Sequence, residues 1–147
     1  MPMRRNPTIY AAVYILFVRS GKIYLQRRKN TGWHDGKYDL PAGHIESDEA
    51  PIAAAIREVK EEAGVDLKPE DLEFIHVMYR KSPDRTYTDF YFLAKKYKGK
   101  PRIAEPEKCD ADGWFSFNKL PDIIPFLKSF ITDYRKGKMF SEFGINH

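Results

Sequence analysis

Residues 9–18 form an unbroken apolar run, and a strand-like pattern resumes at 22–27 after Ser20-Gly21. Two such runs across a Ser-Gly pair predict a β-hairpin with a buried first strand. The run is only about half of what a membrane-spanning helix needs. Arg4 and Arg5 precede it, but no small-x-small cleavage site follows, so it does not read as a signal peptide. Residues 29–39 are polar and turn-rich (Asn30-Thr31-Gly32, Asp35-Gly36), which predicts a surface loop. Residues 72–79 and 86–97 are β-rich, 98–112 is charged and irregular, and 113–118 is a short strand. In 121–134, Ile124, Leu127, Phe130, Ile131 and Tyr134 recur near helical spacing and predict a closing helix.

A second helix is predicted between the strands. Ile52, Ile56, Val59 and Ala63 fall within roughly 60° of one another on a helical wheel and predict a buried stripe. Ser47 or Asp48 can cap its first turn, Pro51 is tolerated near a helix start, and Gly64 ends it. Many strands, one helix in the middle and one at the end predict a mixed sheet with helices on two sides.

At 147 residues the chain is expected to be one domain, residues 1–147, with 42% hydrophobic content suited to a packed core. A net charge of +4 favours approach of a small polyanion and is too small to argue for nucleic-acid binding. Cys109 is the single cysteine, which excludes an intramolecular disulfide and a thiolate zinc site and is consistent with a reducing cytoplasm. No membrane association is expected. Oligomeric state, monomer or homodimer, is left open.

The most informative stretch is 43–65. Glu58, Glu61 and Glu62, at i, i+3 and i+4, project from one side of the central helix. Like charges that close repel unless a cation sits between them, and Mg²⁺ is held by a few carboxylates together with substrate phosphates. The pattern reads as a metal platform for phosphate chemistry.

The full spacing resembles the Nudix box, Gly-x5-Glu-x7-Arg-Glu-aliphatic-x-Glu-Glu-x-Gly-aliphatic. Gly43, Glu49, Arg57, Glu58, Val59, Glu61, Glu62, Gly64 and Val65 fill its defined positions. The resemblance to Nudix hydrolases implies an α/β/α sandwich with a mixed sheet and hydrolysis of a nucleoside diphosphate linked to a further moiety, with Mg²⁺ or Mn²⁺ as cofactor. It implies Glu58 and Glu62 as metal ligands and Glu61 as a further ligand or water-holding residue, any of the three being able to act as general base. Arg57 would hold a carboxylate in place, Glu49 would support the site indirectly, and Ala42 would offer its carbonyl to the metal.

Outside the box, Glu105-Pro106-Glu107-Lys108-Cys109 followed by Trp114 resembles a segment of the MutT-like branch, which cleaves nucleoside triphosphates. Glu107 is the candidate from this loop for the metal site and the substrate. Arg28 is the candidate phosphate-binding cation, with Arg27 on the opposite face of the strand as the alternative. Trp33, Tyr38, Trp114 and the Phe and Tyr residues of the strand at 86–97 are candidates for stacking on a base, although such rings more often belong to a core. Cys109 reads as a buried filler. The expected substrate is a nucleoside or deoxynucleoside triphosphate, oxidised forms such as 8-oxo-dGTP included. The alanine at position 42 also suits ADP-ribose and other nucleoside-diphosphate-X pyrophosphatases. The alternative of another class is a non-catalytic Nudix-fold module that only binds a nucleotide.

Overall fold

A computed structural model describes residues 5–146. Arg4, weighed above with Arg5 and rejected as the start of a signal peptide, lies outside the described residues. The architecture is a mixed five-stranded sheet and a smaller antiparallel sheet, with a helix on each side of the larger one.

The first apolar run becomes β1 (Ile9–Leu16), an interior strand of the large sheet. Its successive side chains serve opposite faces. Ala12, Tyr14 and Leu16 enter one core, while Val13, Ile15 and Phe17 enter the other. This accounts for a strand that is apolar throughout instead of alternating. The hairpin expected from 9–27 is smaller than the sequence suggested. The chain changes sheet at Phe17, and only β2 (Val18–Arg19) turns back onto β3 (Lys22–Arg28). Ser20 and Gly21 both adopt positive φ, 52° and 72°, as a two-residue turn between right-twisted strands requires.

The large sheet has the order β5-β1-β7-β6-β9, built from β5 (Ala42–His44), β6 (Leu72–Lys81), β7 (Thr86–Ala94) and β9 (Phe140–Phe143) around β1. β9 lies parallel to β6 and was not foreseen, because four residues following a helix carry too little periodicity. In the small sheet β3 is central, flanked by β8 (Cys109–Ser116) on one side and by β2 and β4 (Tyr38–Asp39) on the other. β8 starts four residues earlier than the predicted strand at 113, so part of 98–112 is sheet.

Helix α1 (Pro51–Ala63) packs on β1 and β5, and α2 (Pro125–Arg135) packs on β6 and β9. The α1 stripe is shifted from the expected one. Ala54, Ala55, Val59 and Ala63 are buried, Ile56 is half-buried and Ile52 is exposed. Small alanines let the helix approach the sheet closely. Neither Ser47 nor Asp48 caps α1: Ala50 occupies the cap position and Pro51 opens the helix without a side-chain hydrogen bond. Gly64 closes it at φ 69°, donating its N–H to the Lys60 carbonyl.

Candidate active site

Four local features place carboxylates at the mouth of one cleft. Val59 and Ala63 anchor α1 in the core, which turns Glu58 and Glu62 toward the edge strand β5. Glu62 Oε2 accepts the Ala42 N–H at 3.0 Å. Gly43 gives Glu58 its room, since a Cβ there would collide with the Glu58 carboxyl group. The loop after β7 docks on the end of α1 through Arg102 N–H to the Ala63 carbonyl (3.0 Å) and Ala104 N–H to the Glu62 carbonyl (3.1 Å), which carries Glu105 into the cleft.

The cleft has a volume of about 730 Å³, and Ala42, Gly43, Glu58, Glu62 and Glu105 form one end of its lining. Burial raises the Glu62 carboxyl well above the usual range, helped by the charges of Asp39, Glu58 and Glu105. Burial also raises Glu58, against the opposing pull of Arg57. Desolvated acids that repel each other favour the proton, or a cation in its place.

Arg57 organises the other side of these acids. Its Nε donates to Glu49 Oε2 at 2.7 Å, Nη1 to Glu58 Oε1 at 2.7 Å, and Nη2 to the His44 carbonyl at 3.0 Å and to Glu49 Oε1 at 2.9 Å. The Glu49 carboxyl is pushed down to about 2, chiefly by this hydrogen bond. Glu49 therefore serves the arginine, and the arginine positions Glu58.

Among the described residues, no three acidic, imidazole or thiol groups stand ready to hold a metal ion as they are. Glu58 is drawn to Arg57 and Glu62 to the Ala42 amide. The donor set nevertheless fits a hard divalent cation. It is all oxygen, partly desolvated and mutually repulsive, which is what Mg²⁺ or Mn²⁺ relieves.

The residues expected from the sequence are not all brought together. Glu58, Glu62, Ala42 and Arg28 line the cleft. Glu61 does not line it; its side chain is half exposed and reaches Arg57 at 3.4 Å. Glu107 is exposed on a turn away from the cleft, and Glu105 stands where Glu107 was expected. The two are separated by Pro106 in the turn that leads into β8, and the docking that selects between them involves backbone groups of α1, which a linear motif does not show. Arg28 donates to Asp39 Oδ2 at 3.0 Å and to the Trp33 carbonyl at 2.8 Å, while Arg27 faces away to Asp110. The register shift between Arg27 and Arg28 separates their roles.

Trp33 stands at the cleft rim with the Arg28 guanidinium 4.8 Å from its ring centre. Tyr38 packs on Phe115, and Trp114 packs on Tyr24, so neither lines the cleft. Cys109 lines the cleft, but burial pushes its thiol up to about 12, so it is not a nucleophile at neutral pH. Asp39 and Arg80 also line the cleft and were not singled out, and Tyr87, one of the strand aromatics expected as stacking candidates, lines it too. They come from β4, β6 and β7, and only the sheet order assembles them.

The NUDIX domain family profile matches residues 7–134. The 8-oxo-dGTP diphosphatase of Escherichia coli (strain K12) is 30% identical over 90 residues, covering 61% of this chain and 68% of that protein. An ADP-ribose pyrophosphatase of Methanocaldococcus jannaschii is 28% identical over 127 residues, covering 86% of this chain and 73% of that protein. The crystal structure of a MutT NUDIX hydrolase from Burkholderia pseudomallei superposes with a TM-score of 0.77 at 26% identity, covering 85% of this chain and 97% of that one.

Proposed function

Since the chain belongs to the Nudix family of hydrolases, we propose that it hydrolyses a nucleoside or deoxynucleoside triphosphate, with Mg²⁺ or Mn²⁺, to a nucleoside monophosphate and pyrophosphate. Water adds to a phosphorus atom, one phosphorus–oxygen bond of the diphosphate linkage breaks, and pyrophosphate leaves. The observation that carries this reading is the convergence of Glu58, Glu62 and Glu105 at one end of a cleft large enough for a nucleotide.

Glu58, Glu62 and Glu105, with Ala42 beside them, are the residues that would hold the cation. When bound, it neutralises phosphate oxygens and lowers the pKa of a coordinated water. Arg57 keeps Glu58 oriented while the site fills. Glu61, at the outer edge, is in reach of Arg57 and shares that positioning task. Arg28 and Lys108 line the same cleft and supply positive charge for phosphate oxygens. Oxidised nucleotides such as 8-oxo-dGTP fall within this substrate class, as the E. coli relative's name suggests.

A second reading is an ADP-ribose-type substrate, supported by Ala42 beside Gly43 and by the archaeal relative. Separation of products from a substrate panel with Mg²⁺ distinguishes the two. Pyrophosphate plus monophosphate from triphosphates supports the first reading. Ribose phosphate plus AMP from ADP-ribose, with triphosphates left intact, replaces it by the second.

A further inference from the structure

The cleft floor continues away from the acids across the large sheet, from β5 over β1 and β7 to β6. At about 4.8 Å per strand, β6 lies roughly 14 Å from the carboxylate end. Arg80 stands there. It lines the cleft although only 4% exposed. Nε donates to Asp89 Oδ2 at 2.6 Å and Nη2 to Asp89 Oδ1 at 3.2 Å. The rings of Tyr87 and Phe126 lie 4.2 and 4.0 Å from its guanidinium carbon. Nη1 has no hydrogen-bond partner among the described residues.

A guanidinium held this way is a poor phosphate anchor. Asp89 neutralises its charge, and its surroundings are aromatic. It retains the Nη1 amino group beside the Tyr87 ring, which lines the cleft, and this pairing suits a neutral planar heterocycle bearing an acceptor. Arg28, which gives Asp39 a single donor, and Lys108, whose side chain is more than half exposed beside Glu105, line the cleft as well and suit the phosphates.

Building on the triphosphatase reading, we propose that Arg80 determines base specificity: its Nη1 donates to the carbonyl oxygen at the purine 6 or pyrimidine 4 position of the nucleobase at the β6 end, while the phosphates lie at Glu58, Glu62 and Glu105. The enzyme then favours oxo bases (guanine, hypoxanthine, uracil) over amino bases (adenine, cytosine). An exocyclic amino group facing Nη1 sets donor against donor and leaves both unpaired, and sites built on a buried hydrogen bond reject such analogues strongly. Asp89 is a positioning residue, since it acts only by fixing the guanidinium.

The test measures kcat/KM for ITP against ATP and for UTP against CTP with Mg²⁺. The proteins are the wild type, Arg80→Lys, and a paired variant carrying Arg80→Met and Asp89→Leu. Wild type is expected to favour ITP and UTP by about 10-fold or more, and both variants to fall below about three-fold, mainly through KM. The paired variant exchanges a buried ion pair for apolar side chains, a change folds often tolerate, so misfolding of Arg80→Lys alone leaves the variant arm intact. The wild-type ratios decide in any case. Equal use of both members of each pair, a preference for amino bases, or a preference that survives in the variants overturns the assignment of Arg80. Hydrolysis without base preference removes this proposal and leaves the triphosphatase reading standing. Failure of wild type to hydrolyse any of the four nucleotides with Mg²⁺ or Mn²⁺ removes that reading and this proposal together.

Discussion

Two arginines, Arg57 behind the acids at one end of the cleft and Arg80 in the lining at the other, are each held by acids and put to different use. Arg57 is about one-quarter exposed and divides its donors among Glu49, Glu58, Glu61 and a backbone carbonyl. Arg80 is 4% exposed and gives two donors to one partner, Asp89, beside two aromatic rings. The first arrangement can release a carboxylate when a cation arrives, because Arg57 keeps other partners. The second cannot move without stranding a buried charge. One end of the cleft is built for exchange and the other for rigidity, which is the division expected of a site that binds a metal at one end and recognises a shape at the other.

The largest effect expected at the exchanging end is loss of the cation. An EDTA-treated sample should lose turnover to background and regain it with Mg²⁺ or Mn²⁺; full turnover in chelator would contradict the carboxylate platform. Glu62→Gln should lower kcat by about 10²-fold or more with unfolding midpoints little changed, because hard cations depend on a small number of charged oxygens. Wild-type rates in that variant would return the acids to a purely structural role.

The next contrast is in stability. Arg80→Ala strands Asp89 without its counter-charge and should cost about 3–5 kcal/mol in urea unfolding. Arg57→Ala removes partly exposed pairs and should cost about 1 kcal/mol, while lowering turnover through a misplaced Glu58. Equal costs at the two sites would erase the distinction between them.

Glu105 and Glu107 sharpen the boundary of the exchanging end. Glu105→Gln should lower kcat by about 10-fold or more. Glu107→Gln should stay within about two-fold, as exposed substitutions usually do. The reverse order would place the loop differently from the docking described above.

The smallest effect concerns Asp39, whose carboxyl burial pushes up to about 6 against the pull of Arg28. Its folded value lies above its unfolded one. It therefore favours the folded state most below about pH 4, and this contribution is lost as pH rises through about 6. In EDTA, wild type should lose stability relative to Asp39→Asn across that window, by no more than about 1.4 kcal/mol per pH unit. A flat difference in urea midpoints would mean that Asp39 titrates normally.

The exchanging end was largely legible because its parts are local. Gly43, Glu49, Arg57, Glu58 and Glu62 lie within one short strand, the loop after it and one helix, and helical periodicity alone puts Glu58 and Glu62 one turn apart. Periodicity failed inside the same element where packing decided. Ile52 was expected in the core and is exposed, because close approach of α1 to the sheet selects the alanines at 54 and 55. Arg28 and Glu105 were legible only as members of short candidate segments. A register shift in β3 and the docking of a loop on α1 settled which residue of each segment faces the cleft.

By itself, then, the sequence determined the helix that carries the acids, its glycine stop, the family resemblance and the character of most strands, since each depends on residues close along the chain. Only the tertiary structure decided that β1 leaves its hairpin for the other sheet, that Glu105 and not Glu107 joins the acids, and that Arg80 meets Asp89 and Phe126. Those contacts join residues 9 to 47 positions apart, and strand order and loop docking, which a linear pattern does not encode, bring them together.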